Sequence, residues 1–434
     1  MKRMRTIQPK WINIPDVVLI EVFKYLTDSE RAKAALVCEN WSRIFHSPCL
    51  WRFRTFEMGG YKAQIYGMRA CKFAENFGRF LKYLVISCSH PSYHTCKLFQ
   101  KSIDELFATL REAETQLYEF ELCRLELERY WKYDTPREKL ISIFSKFLKT
   151  QKRMLCFDMS SAQLPAYGGC RVLDAIAHQS GSSIQDMLME DFFHSRLAVH
   201  QVQKFHKVIG KFTNLKYLSL NYNCLSDEIL EIFTKSLQRK LHFLNIKVFR
   251  FDPHFHRISG LAWKQFAQSC PCLRVAFWFE SVGMHEAIAP ILVKEAPVKD
   301  IHIWSGYDDD LDWRLSDTID HITNTYANMI ESVSFELDNT QEIIDQPLLH
   351  LVSKCKKLKE LSVNAMVSIK TVEDICEMLR EKTIDLRELL LTCCGLTDVE
   401  WNILASLRER YQPIFKERKI DFKCTSDLII ESSF

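Results

Sequence analysis

The chain has 434 residues, 47% of them hydrophobic and 26% charged, so it can bury a large core and its length allows two or three ordinary domains. Its 58 Lys and Arg against 55 Asp and Glu leave a net charge of +3, which argues against nucleic acid or a membrane as the main partner. No stretch approaches the roughly 20 apolar residues of a membrane span, and 16 scattered cysteines fit reduced thiols of the cytosol or nucleus better than a disulfide framework.

Met1-Lys2-Arg3-Met4-Arg5 is basic, but no apolar core of signal-peptide length comes after it, so a solvated tip is expected there. The first strong signal runs from Ile14-Pro15-Asp16 to Leu26, where Val18, Leu19, Val22, Phe23 and Leu26 recur at helical spacing. Pro15 stands where helices start well. Thr27 and Glu30 then form a capping-box pair for a second helix, with Ala34, Val37, Cys38 and Trp41 as its apolar positions. About forty residues in two or three short helices bury little area and leave apolar surface for a partner. Such a unit is a docking module.

These residues resemble the F-box family. The matching pieces are the Ile14-Pro15-Asp16 start, the Val22-Phe23-Lys24-Tyr25-Leu26 helix end, the run from Ala34 to Trp41 and the close from Pro48 to Trp51. The first position is Ile14 where the family more often has Leu. The resemblance implies that Ile14, Pro15, Leu19, Val22, Phe23, Leu26, Val37, Cys38, Trp41, Leu50 and Trp51 face an adaptor subunit, with some of them forming the module's own core. The module is placed at residues 9–55, followed by a bridging segment at 56–80 in which Phe56, Tyr61, Tyr66, Phe73, Phe77 and Phe80 read as core. No Pro/Ser/Gly-rich linker separates the bridge from the residues after Phe80.

From Leu81 onward the chain repeats itself, and residues 81–434 read as one solenoid. The unit is an apolar residue, two variable ones, then apolar-x-apolar. Copies begin at Leu81, Leu117, Met154, Ile184, Leu215, Leu241, Leu273, Val298, Ile330, Leu358 and Leu386, about 25 to 37 residues apart. Helical patterns lie between them, such as Asp227–Phe233 entered through Ser226, and 399–407 entered through a Thr397-to-Glu400 capping box. Strand, turn and helix in repetition predict a curved α/β solenoid of leucine-rich-repeat type, with a parallel concave sheet and outer helices. Asn223 and Cys394 stand where the repeat bonds its own loop. An ordinary mixed α/β domain with Leu-rich strands is the plainer alternative.

If the three apolar residues of each copy face inward, the intervening ones face out. This places outward Tyr217 and Ser219; Phe243 and Asn245; Val275, Phe277 and Phe279; Asp300, His302 and Trp304; Ser332, Ser334 and Glu336; and Glu360, Ser362 and Asn364. A stripe of exposed aromatics supplies the energy of a binding site, so Tyr217, Phe243, Phe277, Phe279, His302 and Trp304 are the expected target-binding residues. A register error of one residue would exchange inside for outside.

Other constellations point to no chemistry. His254, His256 and His302 lack a paired Cys or carboxylate at ligand spacing, so hydrogen-bonded loop histidines are expected. Cys270, Cys272, Cys393 and Cys394 read as small buried thiols within the repeats. Asp308, Asp309, Asp310 and Asp312 lack the Gly and the later Glu of a calcium loop. There is no phosphate-binding Gly-rich loop, no nucleophile elbow and no activated cysteine with a base. No metal, cofactor or catalytic residue is expected.

An F-box followed by such repeats is similar to the substrate receptors of Skp-cullin-F-box ubiquitin ligases. The resemblance implies a non-catalytic receptor, cytoplasmic or nuclear, that docks through its F-box on a Skp-type adaptor and through it on cullin and RING subunits. A target protein held on the repeats would then be ubiquitinated for proteasomal degradation. The segment Pro253–Ser259 with Trp263 and Phe266, together with Asn221, Tyr222 and Leu225–Glu228, further resembles the subgroup of F-box only protein 39 and the cryptochrome-targeting F-box/LRR proteins. Members of the cryptochrome-binding pair carry a tail ending in Trp, whereas this chain ends in Ser432-Ser433-Phe434. The alternatives are a non-degradative repeat scaffold whose first fifty residues cap the solenoid, and a hydrolase or transferase on a mixed α/β fold.

Overall fold

The computed structural model describes residues 14–60, 62–88, 93–123, 125–126, 134–306 and 313–426. Met1–Arg5, Tyr61, the Asp308–Asp310 run with Asp312, and Ser432–Phe434 lie outside the described residues. The chain divides into two compact units, Met1–Phe157 and Asp158–Phe434.

The first unit begins with three short helices, Asp16–Lys24, Asp28–Ala34 and Glu39–Phe45, and a 3-10 turn at Pro48–Leu50. The Thr27 side chain accepts from the Glu30 backbone and the Glu30 carboxylate accepts from the Thr27 backbone N–H, so the expected capping box starts the second helix. Arg31 reaches back, donating to the carbonyls of Phe23 and Lys24 at 2.7 and 3.2 Å, and so satisfies the end of the first helix. Leu19, Phe23, Ile44, Leu50 and Trp51 form the core of these helices.

Trp51 ties that core to the helix Ala63–Phe77. Its indole donates to the Phe45 carbonyl at 2.5 Å and stacks on Phe77 at 4.1 Å, while Arg31 and Arg54 lie over the ring at 5.4 and 5.0 Å. The bridging aromatics Phe73, Phe77 and Phe80 pack against the same core. A strand, β1 (Phe53–Glu57), pairs in parallel with β2 (Tyr83–Ser87), which pairs with β3 (Glu119–Cys123). The parallel ladder thus starts one strand, 30 residues, before the strand of the first copy read in the sequence, as Phe53↔Tyr83 in the register shows. Helices Tyr93–Glu112 and Asp134–Leu148 alternate with these strands, and Phe107 of one stacks on Phe147 of the other at 4.2 Å. A short strand β4 (Cys156–Asp158) stands at the division between the units.

The second unit continues the alternation with β5 (Asp186–Met189), β6 (Tyr217–Asn221), β7 (Phe243–Phe249), β8 (Arg274–Glu280), β9 (Val298–Trp304), β10 (Ser332–Glu336), β11 (Glu360–Ala365), β12 (Glu388–Cys393) and β13 (Asp421–Ser426). Each pairs in parallel with the next, and a helix precedes every one of them. Parallel strands need a crossover to reach the next position, which the inter-repeat helices supply. Residues Leu218 and Leu220, Leu244 and Ile246, Ile301 and Ile303, Val333 and Phe335, and Leu361 and Val363 are buried, as the repeat pattern requires. An F-box-type helical module followed by an α/β solenoid of leucine-rich-repeat type is the architecture.

One strand corrects the sequence reading. On β8 the buried residues are Val275, Phe277 and Phe279, while Arg274, Ala276, Trp278 and Glu280 lie on the open face. The ladder aligns Leu244 with Val275 and Ile246 with Phe277, so Leu273 stands one residue beyond the position that Leu241 holds in the preceding copy. Taking Leu273 as the anchor therefore turned every β8 side chain over. A register shift between β8 and β9 comes next, where Val275 pairs with Val298 and Ala276 with Asp300. It restores Asp300, His302 and Trp304 to the open face.

Candidate functional site

The helices of the first module present an apolar surface. Val17, Val18, Val22 and Tyr25 on the first helix and Leu36 and Val37 after the second are all exposed, with Tyr25 and Leu36 at 89% and 86%. The apolar repeat of the first helix is wider than one side, so burying Leu19 and Phe23 leaves Val18 and Val22 outside. The rim is charged: Arg43 bonds Asp16 at 2.5 Å and thereby holds the Asp16 carboxyl below its usual range. Exposed apolar clusters larger than scattered single residues generally mark interaction sites.

A second surface lies on the open face of the second unit. Tyr217 and Phe243 lie 6.4 Å apart, and Asn245 donates to the Tyr217 hydroxyl at 2.5 Å. Trp278, 40% exposed, meets His302 edge-on at 5.6 Å. Between β7 and β10, Asn245, Trp278 and His302 border a cavity of about 430 Å³ also lined by Glu190, Lys247, Ala276, Asp300, Ser332 and Ser334. That volume is within the range of small binding pockets.

Lys247 in the cavity lining belongs to an ionised cluster in which carboxylates outnumber cations. Lys247 is nearly buried, yet it bonds Asp191 at 2.6 Å and Glu280 at 2.5 Å. Burial pulls its pKa down, but the two carboxylates outweigh it and hold the ammonium above its ordinary value. Asn221 donates to Asp191 and Asp252 at 2.8 and 2.7 Å and accepts from the Asp191 backbone at 2.7 Å. Burial pushes the Asp252 carboxyl up to about 6 against that hydrogen bond. Burial lowers His302, with Glu336 and Glu280 opposing, so its ring favours the neutral form.

Across the face the charge becomes one-sided. The register places Asp300, Ser332, Glu360, Glu388 and Asp421 side by side on β9 to β13. Arg274 pairs with Asp300 and Lys423 with Asp421, but among the described residues no cation is paired with Glu360 or Glu388. Adjacent strands stand about 4.8 Å apart, so each pair of neighbouring carboxylates costs on the order of 1 kcal/mol even in water-like screening. Burial raises the Asp300 pKa, with Arg274 pulling it down and Glu331 and Glu360 pushing it further up.

Residues 11–57 match the F-box-like family model. The chain carries an F-box-like domain. Over longer spans it is similar to F-box/LRR-repeat protein 21 of Ovis aries, 20% identical over 83% of this chain and 78% of the relative. It is also similar to the protein of that name from Mus musculus, 22% identical over 68% of this chain and 65% of the relative, and from Bos taurus, 19% identical over 83% and 78%.

Within the F-box-like domain the eleven expected adaptor-facing residues divide. Leu19, Phe23, Leu50 and Trp51 are its core, and Ile14, Leu26 and Trp41 pack half-buried against them, Trp41 edge-on to Phe23 at 5.9 Å. Pro15, Val22 and Val37 are exposed, and Cys38 is half-buried at the start of the third helix. Val17, Val18, Tyr25 and Leu36 complete the surface and were absent from the sequence-based set. Of the expected target-binding residues, Tyr217, Phe243, His302 and Trp304 lie on the open face, whereas Phe277 and Phe279 stack on each other at 5.8 Å in the core. Trp278 takes their place on the surface; the run Val275-Ala276-Phe277-Trp278-Phe279 is apolar throughout and gives no alternation by which to find it.

Of the four thiols expected to be buried, Cys270 and Cys393 are, whereas Cys394 is half-buried and Cys272 is exposed. The loop histidines find partners within the fold. His256 donates from Nε2 to the Leu225 carbonyl at 2.8 Å and stacks on His200 and Tyr222, and His254 donates from Nδ1 to the Asp252 carbonyl at 2.6 Å. Among the described residues no group of three or more His, Cys, Asp or Glu is arranged to hold a metal ion, and no helix is long and apolar enough to cross a membrane.

Proposed function

We propose that the chain is a non-catalytic substrate receptor of a Skp-cullin-F-box ubiquitin ligase, working in the cytoplasm or nucleus. The observation that carries this reading is the exposed patch Val17, Val18, Val22, Tyr25, Leu36 and Val37 on a module that matches the F-box-like family. Hydrophobic surface of this kind on a short helical unit is completed by a partner, and for an F-box that partner is a Skp-type adaptor, which connects to cullin and RING subunits. Pro15, Val22 and Val37 are retained from the family-based set as contacts, with Ile14, Leu26, Cys38 and Trp41 at the margin.

The open face of β6 to β9 holds the target through Tyr217, Phe243, Trp278, His302 and Trp304. The receptor breaks no bond: it raises the effective concentration of the target's lysines at the charged conjugating enzyme. Kinship with the cryptochrome-targeting subgroup and F-box only protein 39 belongs to the same proposal, on the segment from Pro253 to Phe266 with Asn221 and Tyr222.

Reconstitution with purified adaptor and cullin tests the reading. A stable ternary complex is expected; a chain that forms none is a repeat scaffold. Capture of cellular proteins by the chain with its F-box removed should be lost on Phe243→Ala with Trp278→Ala, while adaptor binding by the full chain with the same substitutions is kept.

A further inference from the structure

We infer that the target-binding face takes a basic segment of its partner, with an Arg or Lys side chain laid against Trp278 and further cations spaced along β9 to β13; this rests on the receptor reading of that face. The cavity supplies the first element of the argument. One wall is the exposed indole of Trp278, whose electron-rich face attracts cations. The cation already nearest that ring, Lys247 at 5.2 Å, is bound by Asp191 and Glu280 and presents no unopposed charge to a ligand. Asp300, itself paired with Arg274 at 3.4 Å, and Glu190 border the same space, Lys247 is shared by two carboxylates, and His302 favours its neutral form, so carboxylates outnumber cations around the aromatic surface.

The second element is the continuation of that potential. Glu360, Glu388 and Asp421 stand on three adjacent strands, with Ser332 on β10 between Asp300 and Glu360, and Glu360 and Glu388 have no paired cation among the described residues. The chain as a whole is slightly basic, so this acidity is a property of the face and not of the composition. A fold that needs only stability gains nothing from like charges set side by side; a chain of arginines or lysines crossing the strands would neutralise them one by one. An arginine suits the cavity best, since its guanidinium stacks on an aromatic face while bonding a carboxylate.

A fluorescent fourteen-residue peptide with Arg alternating with Gly and Ser provides the probe, read by anisotropy against the full chain bound to its adaptor. The same peptide with citrulline in place of Arg keeps the shape and removes the charge. The Arg peptide should bind at least tenfold more tightly than the citrulline peptide, and its affinity should fall steeply with salt. Glu360→Gln with Glu388→Gln, and separately Trp278→Ala, should each weaken it at least fivefold. Glu231→Gln on the helix Asp227–Ser236, where the carboxylate pairs with Lys235, should leave it unchanged. Equal binding of both peptides, no binding of the Arg peptide, or indifference to Trp278→Ala and to the double Gln variant would each overturn the inference. A chain that ignores the Arg peptide yet loses its cellular targets on Phe243→Ala with Trp278→Ala keeps the receptor reading and loses this one.

Discussion

Phe277→Ala and Trp278→Ala alter adjacent residues of β8 and should behave as opposites. Phe277 is 1% exposed and stacks on Phe279 at 5.8 Å, so truncating it leaves a cavity in the close-packed interior. Losses for Phe→Ala in cores run about 3–5 kcal/mol. At about 2–4 °C per kcal/mol for a unit of this size, the melting temperature should fall by roughly 6–20 °C. Trp278 keeps 40% of its surface in solvent, and its ring meets Lys247 at 5.2 Å and His302 at 5.6 Å. Losing a cation–π contact to the nearly buried Lys247 costs about 0.5–2 kcal/mol, a shift of at most about 8 °C. Thermal unfolding followed by circular dichroism, with target capture on the same samples, separates the two. Phe277→Ala should unfold early, and Trp278→Ala should stay folded and lose target. Equal destabilisation, or the reverse order, would mean that β8 sits one residue away from the register described.

Leu19→Ala, in the fully buried centre of the F-box-like domain, should cost about 2–5 kcal/mol, so any loss of adaptor binding there should come with melting of the module in thermal scans. Asp252 carries a carboxyl pushed up to about 6, chiefly by burial. Its folded pKa exceeds the unfolded value near 3.9, so the folded state holds the proton more tightly; the contribution is full below about pH 4 and is lost as pH rises through about 6, by up to about 3 kcal/mol. Asp252→Asn should flatten the pH dependence of the melting temperature between pH 4 and 7, and an unchanged slope would assign it to other groups. Thr397→Ala removes the side chain that caps the helix Asp398–Glu417 and should cost about 1 kcal/mol by denaturant titration, with Thr397→Ser restoring most of it.

Much of this architecture is legible in the sequence because its signals are local. The capping boxes at Thr27 and Thr397 form as the spacing to Glu30 and Glu400 requires, and Ser226 caps the helix Asp227–Ser236. The anchors Leu215, Leu241, Ile330, Leu358 and Leu386 are all buried before their strands. The terminal strand β1 carries Phe53 and Phe56 at a spacing that matches no repeat, and Phe53 is exposed. β13 buries Phe422, Cys424 and Ser426, two apolar residues and a serine, too weak a pattern to read after a long helix. The sites were harder still. A fully apolar run hides the alternation on β8, and a helix with apolar residues on more than one side does not say which of Val18, Leu19, Val22 and Phe23 the module keeps for itself. Only packing against Ile44, Leu50 and Trp51 decides that.

The affinity of the full chain for a purified Skp-type adaptor, compared between the native sequence and Val18→Asp with Tyr25→Ala, bears most directly on the account. Both side chains are exposed, so the double variant should melt within about 1 kcal/mol of the native chain. If the patch is an interface centre, binding should weaken at least about thirtyfold, the equivalent of one hot-spot residue. Adaptor binding that is undiminished in the folded double variant would contradict the assignment of that patch as the docking surface.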